Sequence, residues 1–218
     1  MKLIDLSHSI EHGMITYKGL PAPVISDHLS REASRKVYES GTEFHIGKIE
    51  MVANTGTYLD SPFHRYPDGR DLAHLELNSL ANLDGIVVRC SERVIMPSLL
   101  QGLDVAGKAV LFQTSWDRHW RTEKYSDGTH PFLTAETAKY LANADAALVG
   151  IDSYNIDSTA DGHRRAHSTL LAQDIPIVEH LCGLGELPDL GFRFFAVPPK
   201  VKRFGTFPVR AFAMVEGS

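Results

Sequence analysis

The stretch Asn54-Thr55-Gly56-Thr57-Tyr58-Leu59-Asp60-Ser61-Pro62-Phe63-His64 gathers a carboxylate, an imidazole, a phenol and a glycine flanked by threonines. Such a density of polar and conformationally special groups is costly to bury for packing alone, so it is read as a candidate active-site loop. A second concentration comes late in the chain. His163-Arg164-Arg165-Ala166-His167-Ser168-Thr169-Leu170-Leu171 places two histidines four apart, and Ile175-Pro176-Ile177-Val178 runs into Glu179. A carboxylate among residues that demand burial requires a metal, a hydrogen-bond network or a cation, the candidate cations being Arg164, Arg165 and Arg203. A His-Glu-x-x-His metalloprotease helix is excluded, because Arg164 stands where the Glu would be. The chain also lacks a Gly-x-Ser-x-Gly elbow, a P-loop and a Gly-x-Gly-x-x-Gly fingerprint.

These groups need a scaffold. Phe44 to Val52 reads as a strand delivering the Asn54–His64 loop, and Leu3 to Leu6 as a first strand. His8 and His12 fall in a turn-rich segment and are expected to be exposed loop histidines. Tyr17 to Pro23 is loop, either plain surface or a cover over a pocket. Leucines at 72, 75, 77, 80 and 83 predict a helix, whereas Gly85–Cys90, Ala109–Thr114 and Ala146–Ile151 read as buried strands. Thr134 is an N-cap candidate for a helix over 135–142. Trp116 and Trp120, just past a strand end, suit a substrate pocket and aromatic packing equally. Alternation of helices with apolar strands predicts an α/β fold, with no linker and no repeat, hence one domain over 1–218.

A composition with 43% hydrophobic and 22% charged residues fits a globular chain rather than a disordered one. The formal charge of −5 offers no general attraction to nucleic acid or an anionic membrane. Cys90 and Cys182 lie far apart and read as free thiols, which suits a reducing cytoplasm. Neither a signal peptide nor a membrane span is evident.

With both polar clusters in view, the chain resembles the cyclase family that includes bacterial kynurenine formamidase and isatin hydrolase. Asn54 to His64 follows the family signature His-x-Gly-Thr-His-x-Asp-x-Pro-x-His in spacing and most identities. Downstream, Gly150-Ile151-Asp152, then His167-x-x-Leu170-Leu171, then Glu179 twelve residues after that His, continue the likeness. The resemblance implies a swivelling β/β/α architecture with a mixed central sheet or barrel, a homo-oligomer (dimer or tetramer), and hydrolysis of an amide. It implies Asp60, His167 and Glu179 as metal ligands and His64 as the acid/base. Asn54 and Tyr58 stand where the signature has two histidines, and an amide oxygen or a phenol is a poorer zinc ligand than imidazole. The expectation is therefore one divalent ion, manganese or zinc, on Asp60, His167 and Glu179, with Asn54 nearby and help from His64 or His45.

Three readings follow. The first is a metal-dependent hydrolase of an amide, formamide or lactam, with backbone around Gly56, and Thr55 or Thr57, stabilising the oxyanion. The second is a metal-free lyase, isomerase or cyclase using His64, Tyr58, Asp60 and Glu179. The third is an inactive small-molecule binder. Trp116, Trp120, Phe63 and Tyr17 are the candidate aromatic lining for a small substrate.

Overall fold

The computed structural model describes residues 1–216, so only Gly217 and Ser218 of the 1–218 span lie outside it. Its strands in chain order are β1 (Lys2–Asp5), β2 (Val24–Leu29), β3 (Ile46–Glu50), β4 (Tyr58–Asp60), β5 (Leu83–Arg89), β6 (Val94–Ile95), β7 (Ala109–Gln113), β8 (Phe132–Leu133) and β9 (Leu148–Ile151), followed by β10 (Ile177–Glu179), β11 (Phe192–Phe195), β12 (Thr206–Pro208) and β13 (Phe212–Val215). The α-helices are α1 (Arg31–Ser34), α2 (Ala135–Asn143) and α3 (Arg165–Leu171).

Nine strands make one curled mixed sheet in the order β1-β13-β11-β5-β7-β9-β10-β4-β12. Its centre, β5-β7-β9-β10, is parallel, and antiparallel strands extend it on both sides. The parallel strands are apolar on both faces, as a doubly covered sheet requires. One face packs Leu59, Val87, Leu111, Leu148 and Val178 into a core. The other packs Ile86, Val110, Phe112, Val149 and Ile177 under Ala138 and Leu141 of α2 and Ala166, Leu170 and Leu171 of α3. Thr134 caps α2, its hydroxyl accepting from Thr137 N at 3.2 Å.

The structure departs from sequence expectation in several places. Phe44 to Val52 contributes β3, but that strand pairs only with β2 in an exposed hairpin and does not enter the main sheet. The core of the Asn54–His64 stretch is not loop: Tyr58–Asp60 is the buried strand β4, and Pro62–His64 is a single 3₁₀ turn. Leu72 to Leu83 is not an α-helix. The Asp71 carboxylate takes the amides of Ala73 and His74 at 3.0 and 3.1 Å, Leu77 is 65% exposed, and only Leu77–Ser79 coils, as 3₁₀. An aspartate that satisfies nearby amides competes with helix at that point. His8 is not an exposed loop histidine: its ring stacks on Trp120 at 3.9 Å, and burial lowers its pKa to about 4.

Candidate active site

β4 is the hinge of the site because both its neighbours carry chemistry on the same face. Residues two apart on a strand share a face, so Tyr58 and Asp60 point the same way. Glu179 of β10 lies opposite Tyr58, and Thr206 of β12 lies opposite Asp60. That face is the one α3 covers, and α3 brings His167 down onto it. The 3₁₀ turn after β4 then folds His64 over the edge.

Each group is held by identifiable partners. Asp157, in the loop after β9, accepts from the backbone amides of Ala166 and His167 at 2.6 and 3.0 Å and from His167 Nδ1 at 2.7 Å. One carboxylate thereby satisfies the first turn of α3 and fixes the His167 ring. His167 Nε2 is left 3.5 Å from Asp60 Oδ2 and 3.7 Å from Glu179 Oε1. Burial alone would depress His167; the carboxylates of Glu179, Asp157 and Asp60 outweigh it and raise its pKa to about 10.

Glu179 accepts from the amide of Ile156 at 2.6 Å and from the Tyr58 hydroxyl at 2.8 Å. None of Arg164, Arg165 and Arg203 pairs with it among the described residues. Burial, with Asp60 close by, drives its pKa upward against the pull of His167. Behind it runs a chain of neutral groups. His180 Nε2 lies 3.2 Å from the Tyr58 oxygen, and His180 Nδ1 lies 2.8 Å from the Tyr125 hydroxyl. Since Tyr58 gives its proton to Glu179, it accepts from His180 Nε2–H, and His180 Nδ1 accepts from Tyr125. Burial lowers the His180 pKa to about 3 and raises both phenols, so every member stays uncharged.

Thr206 joins the remaining pair. Its hydroxyl contacts Asp60 Oδ1 and lies 2.8 Å from His64 Nδ1. A carboxylate only accepts, so the hydroxyl donates to Asp60 and accepts from His64 Nδ1–H. The neutral His64 ring therefore keeps its lone pair on Nε2. Burial alone would raise Asp60; the neighbouring imidazoles of His64 and His167 and the hydrogen bond from the Thr206 hydroxyl outweigh it and hold Asp60 below the usual carboxylate range.

Asp60 Oδ2 is buried and has no hydrogen-bond partner among the described residues. Asp60, His64 and His167 can each bring a ligand atom within 4.8 Å of the others. Two ligands about 2.1 Å from one ion at a tetrahedral angle lie about 3.4 Å apart. The 3.5 Å between His167 Nε2 and Asp60 Oδ2 matches that spacing and is long for a hydrogen bond. An orphaned carboxylate oxygen facing an imidazole nitrogen, with a second carboxylate beside it, fits a divalent cation.

A cavity of about 270 Å³ opens over this floor, lined by Tyr17, Leu20, Asn54, Tyr58, His64, Arg65, Asn155, Arg164, His167 and Glu179. Tyr17, stacked on Tyr154 at 4.6 Å, and Leu20 bring the 17–23 loop to the cavity wall. The other residues expected to bind substrate stand elsewhere. Trp116 is buried against Tyr125 and Tyr154, and neither it, Trp120 nor Phe63 lines the cavity. The Gly56 amide is taken by the Thr16 hydroxyl at 2.7 Å; the Thr55 and Thr57 hydroxyls donate to Val52 O and His180 O. Those donors clasp the loop rather than face an oxyanion. His45 pairs with Asp27 on the exposed hairpin, and His163 is exposed outside α3.

Sequence reasoning singled out neither Thr206, His180 nor Asp157 as a site residue. Asp157 carries a faint signal, an aspartate eight residues before a histidine-bearing helix. The other two enter only through strand register.

The family model named Cyclase ("Putative cyclase") matches residues 4–158. A kynurenine formamidase from Bacillus cytotoxicus is 30% identical over 209 residues, covering 95% of each chain, and one from Bacillus cereus is 27% identical over the same share. Among solved structures, an isatin hydrolase bound to the product analogue thioisatinate superposes with a TM-score of 0.83 at 21% identity, over 99% of this chain and 93% of that one. A predicted metal-dependent hydrolase from Bacillus stearothermophilus gives 0.74 at 25% identity, over 97% of both chains.

Proposed function

The chain belongs to the Cyclase family, and from that premise we propose that it hydrolyses a carbon–nitrogen bond in a small, aromatic amide, formamide or lactam. The observation that carries this reading is the buried, partnerless Asp60 Oδ2 set 3.5 Å from His167 Nε2 on the cavity floor. Asp60, His167 and Glu179 would hold one divalent ion, manganese or zinc, with Asn54 at its margin. Such an ion supplies Lewis-acid polarisation of the scissile carbonyl and a more acidic water.

The chain's own residues do the rest. His64 Nε2, with its lone pair fixed by Thr206, takes a proton from the attacking water as oxygen bonds to the carbonyl carbon. The same nitrogen returns the proton to the leaving amine as the carbon–nitrogen bond breaks, giving carboxylate and amine. Proton transfer of this kind contributes about 10² to 10⁴ in rate. The Asn155 side chain, its Oδ1 accepting from Asp157 N at 2.9 Å, keeps its amide NH₂ available to the substrate carbonyl. Tyr58 stays protonated and holds Glu179 in place. Tyr17 and Leu20 supply the apolar wall against an aromatic ring.

The test is hydrolysis of formanilide by chelator-stripped protein before and after adding manganese or zinc. Restoration at one ion per chain supports the reading. Full activity in metal-free protein would transfer it to acid–base chemistry by His64 and Glu179 alone.

We also take the protein to work in the cytoplasm as a homo-oligomer. Cys90 and Cys182 are unpaired, and no described helix is long and apolar enough to cross a membrane. The β2–β3 hairpin leaves Val24, Ile25, Phe44, Ile46 and Ile49 exposed, an apolar surface suited to another copy. Light scattering on the purified protein measures that state.

A further inference from the structure

Behind Glu179, side chains from separate parts of the sequence share one line of hydrogen bonds. Tyr58 donates to Glu179 Oε2 at 2.8 Å, His180 Nε2 lies 3.2 Å from the Tyr58 oxygen, and the Tyr125 hydroxyl lies 2.8 Å from His180 Nδ1. Tyr58, His180 and Tyr125 are all buried, and the polar atoms of each are spent on the next. Apolar side chains fill such a volume without the cost of desolvating polar groups, so the line has a purpose beyond packing.

The backbone bends to build it. Consecutive residues of a strand point to opposite faces, and Glu179 and His180 would do so if β10 simply continued. Instead His180 has a φ of 56°, a left-handed conformation unfavourable for a residue with a Cβ, and both side chains reach the one Tyr58 hydroxyl. The Thr57 hydroxyl donates to His180 O and pins that bend. At the far end Trp116 Nε1 donates to Tyr125 O at 3.1 Å, and the Trp120 ring packs edge-on against Tyr125 at 5.0 Å.

The consequence falls on Glu179. With Oε2 engaged by Tyr58, the carboxylate turns Oε1 toward the cavity floor, where it accepts from the Ile156 amide at 2.6 Å and stands 3.7 Å from His167 Nε2. Oε1 is therefore the oxygen that joins His167 Nε2 and the partnerless Asp60 Oδ2. Resting on the metal-dependent reading above, we propose that His180 and Tyr125 are positioning residues: through Tyr58 they hold Glu179 so that Oε1 alone is offered to the ion and Oε2 is kept from it. A glutamate held to one oxygen leaves coordination positions for water and the substrate carbonyl.

The probe is cobalt(II), titrated into chelator-stripped protein and followed by calorimetry and by its visible absorption, which weakens as coordination number rises. Tyr58→Phe and His180→Met are expected to weaken cobalt binding about 10- to 100-fold, the usual cost of losing a partner behind a ligand, and to change the visible spectrum. Tyr125→Phe does the same to a smaller extent. His180→Gln, whose side-chain amide still donates toward Tyr58, recovers most of the native affinity and spectrum even where its melting temperature falls, which separates positioning from stability. Native affinity and spectrum in both Tyr58→Phe and His180→Met overturn the proposal; if His180→Met does not fold, Tyr58→Phe and Tyr125→Phe decide it. If native protein takes up no cobalt, the metal reading fails, and nitrogen NMR of His180 in slightly alkaline buffer decides the hydrogen-bonded line. The Nε2–H tautomer is expected in native protein and a mixture in Tyr125→Phe, whereas the Nδ1–H tautomer in native protein overturns it.

Discussion

Thr206 shows how much one hydroxyl decides. By donating to Asp60 and accepting from His64 Nδ1, it selects the His64 tautomer whose Nε2 can act as a base. Thr206→Val, which keeps the shape and removes the hydroxyl, is expected to lower kcat/KM about 10- to 100-fold, with Thr206→Ser recovering most of it. Nitrogen NMR of His64 should show the Nδ1–H tautomer in native protein and a mixture in the valine variant. His180 makes a different contribution. Its pKa falls from 6.5 to about 3 on burial, so the folded state excludes a proton that the unfolded chain binds. A depressed pKa gives stability that is present above pH 6.5 and lost as pH falls toward 3. The stability advantage of native protein over His180→Gln should therefore shrink by about 2 to 3 kcal/mol between pH 7 and pH 4.5 in urea titrations.

At the scale of elements, α3 and β12 are positioned by contacts outside themselves. Asp157 caps α3 from eight residues upstream and holds His167 at the same time. Asp157→Ala removes both functions and is expected to cost about 2 to 4 kcal/mol in denaturant unfolding. β12 reaches the site through Gly205. A side-chain carbon there would lie 2.5 Å from His64 N and 2.6 Å from His64 Cα, so only glycine permits the approach that seats Thr206. Gly205→Ala should lose most activity and about 1 to 3 kcal/mol of stability. Gly162→Ala, with nothing within 4 Å of the new carbon, serves as the control.

For the whole molecule, the site ties three remote parts of the chain together: Tyr58 to His64, His167 to His180, and Thr206. A ligand shared between them stabilises the folded state alone. Manganese or zinc at a hundred times its dissociation constant should add about 2.7 kcal/mol. For a chain of 218 residues that corresponds to a melting shift of roughly 5 to 10 °C. Absence of a shift with either ion in chelator-stripped protein would argue against a site on Asp60 and His167.

The sequence by itself determined the local features whose causes are local. The apolar strands around 86, 110 and 149, the Thr134 cap and the two polar clusters are legible because burial pattern and capping are written within a few residues. The family signature likewise marked Asp60, His64, His167 and Glu179 in chain order. Tertiary structure alone decided what those residues face. Register across β4 set Glu179 opposite Tyr58 and Thr206 opposite Asp60, and pairing of strands some 120 and 146 residues apart leaves no trace in either segment. The leucines of 72–83 carried a helical spacing, but the Asp71 side chain and the shape of the sheet overruled it. The same holds for the tryptophans, aromatic enough to bind a ring yet drawn into the core, while Tyr17, Arg65 and Arg164 took the cavity wall.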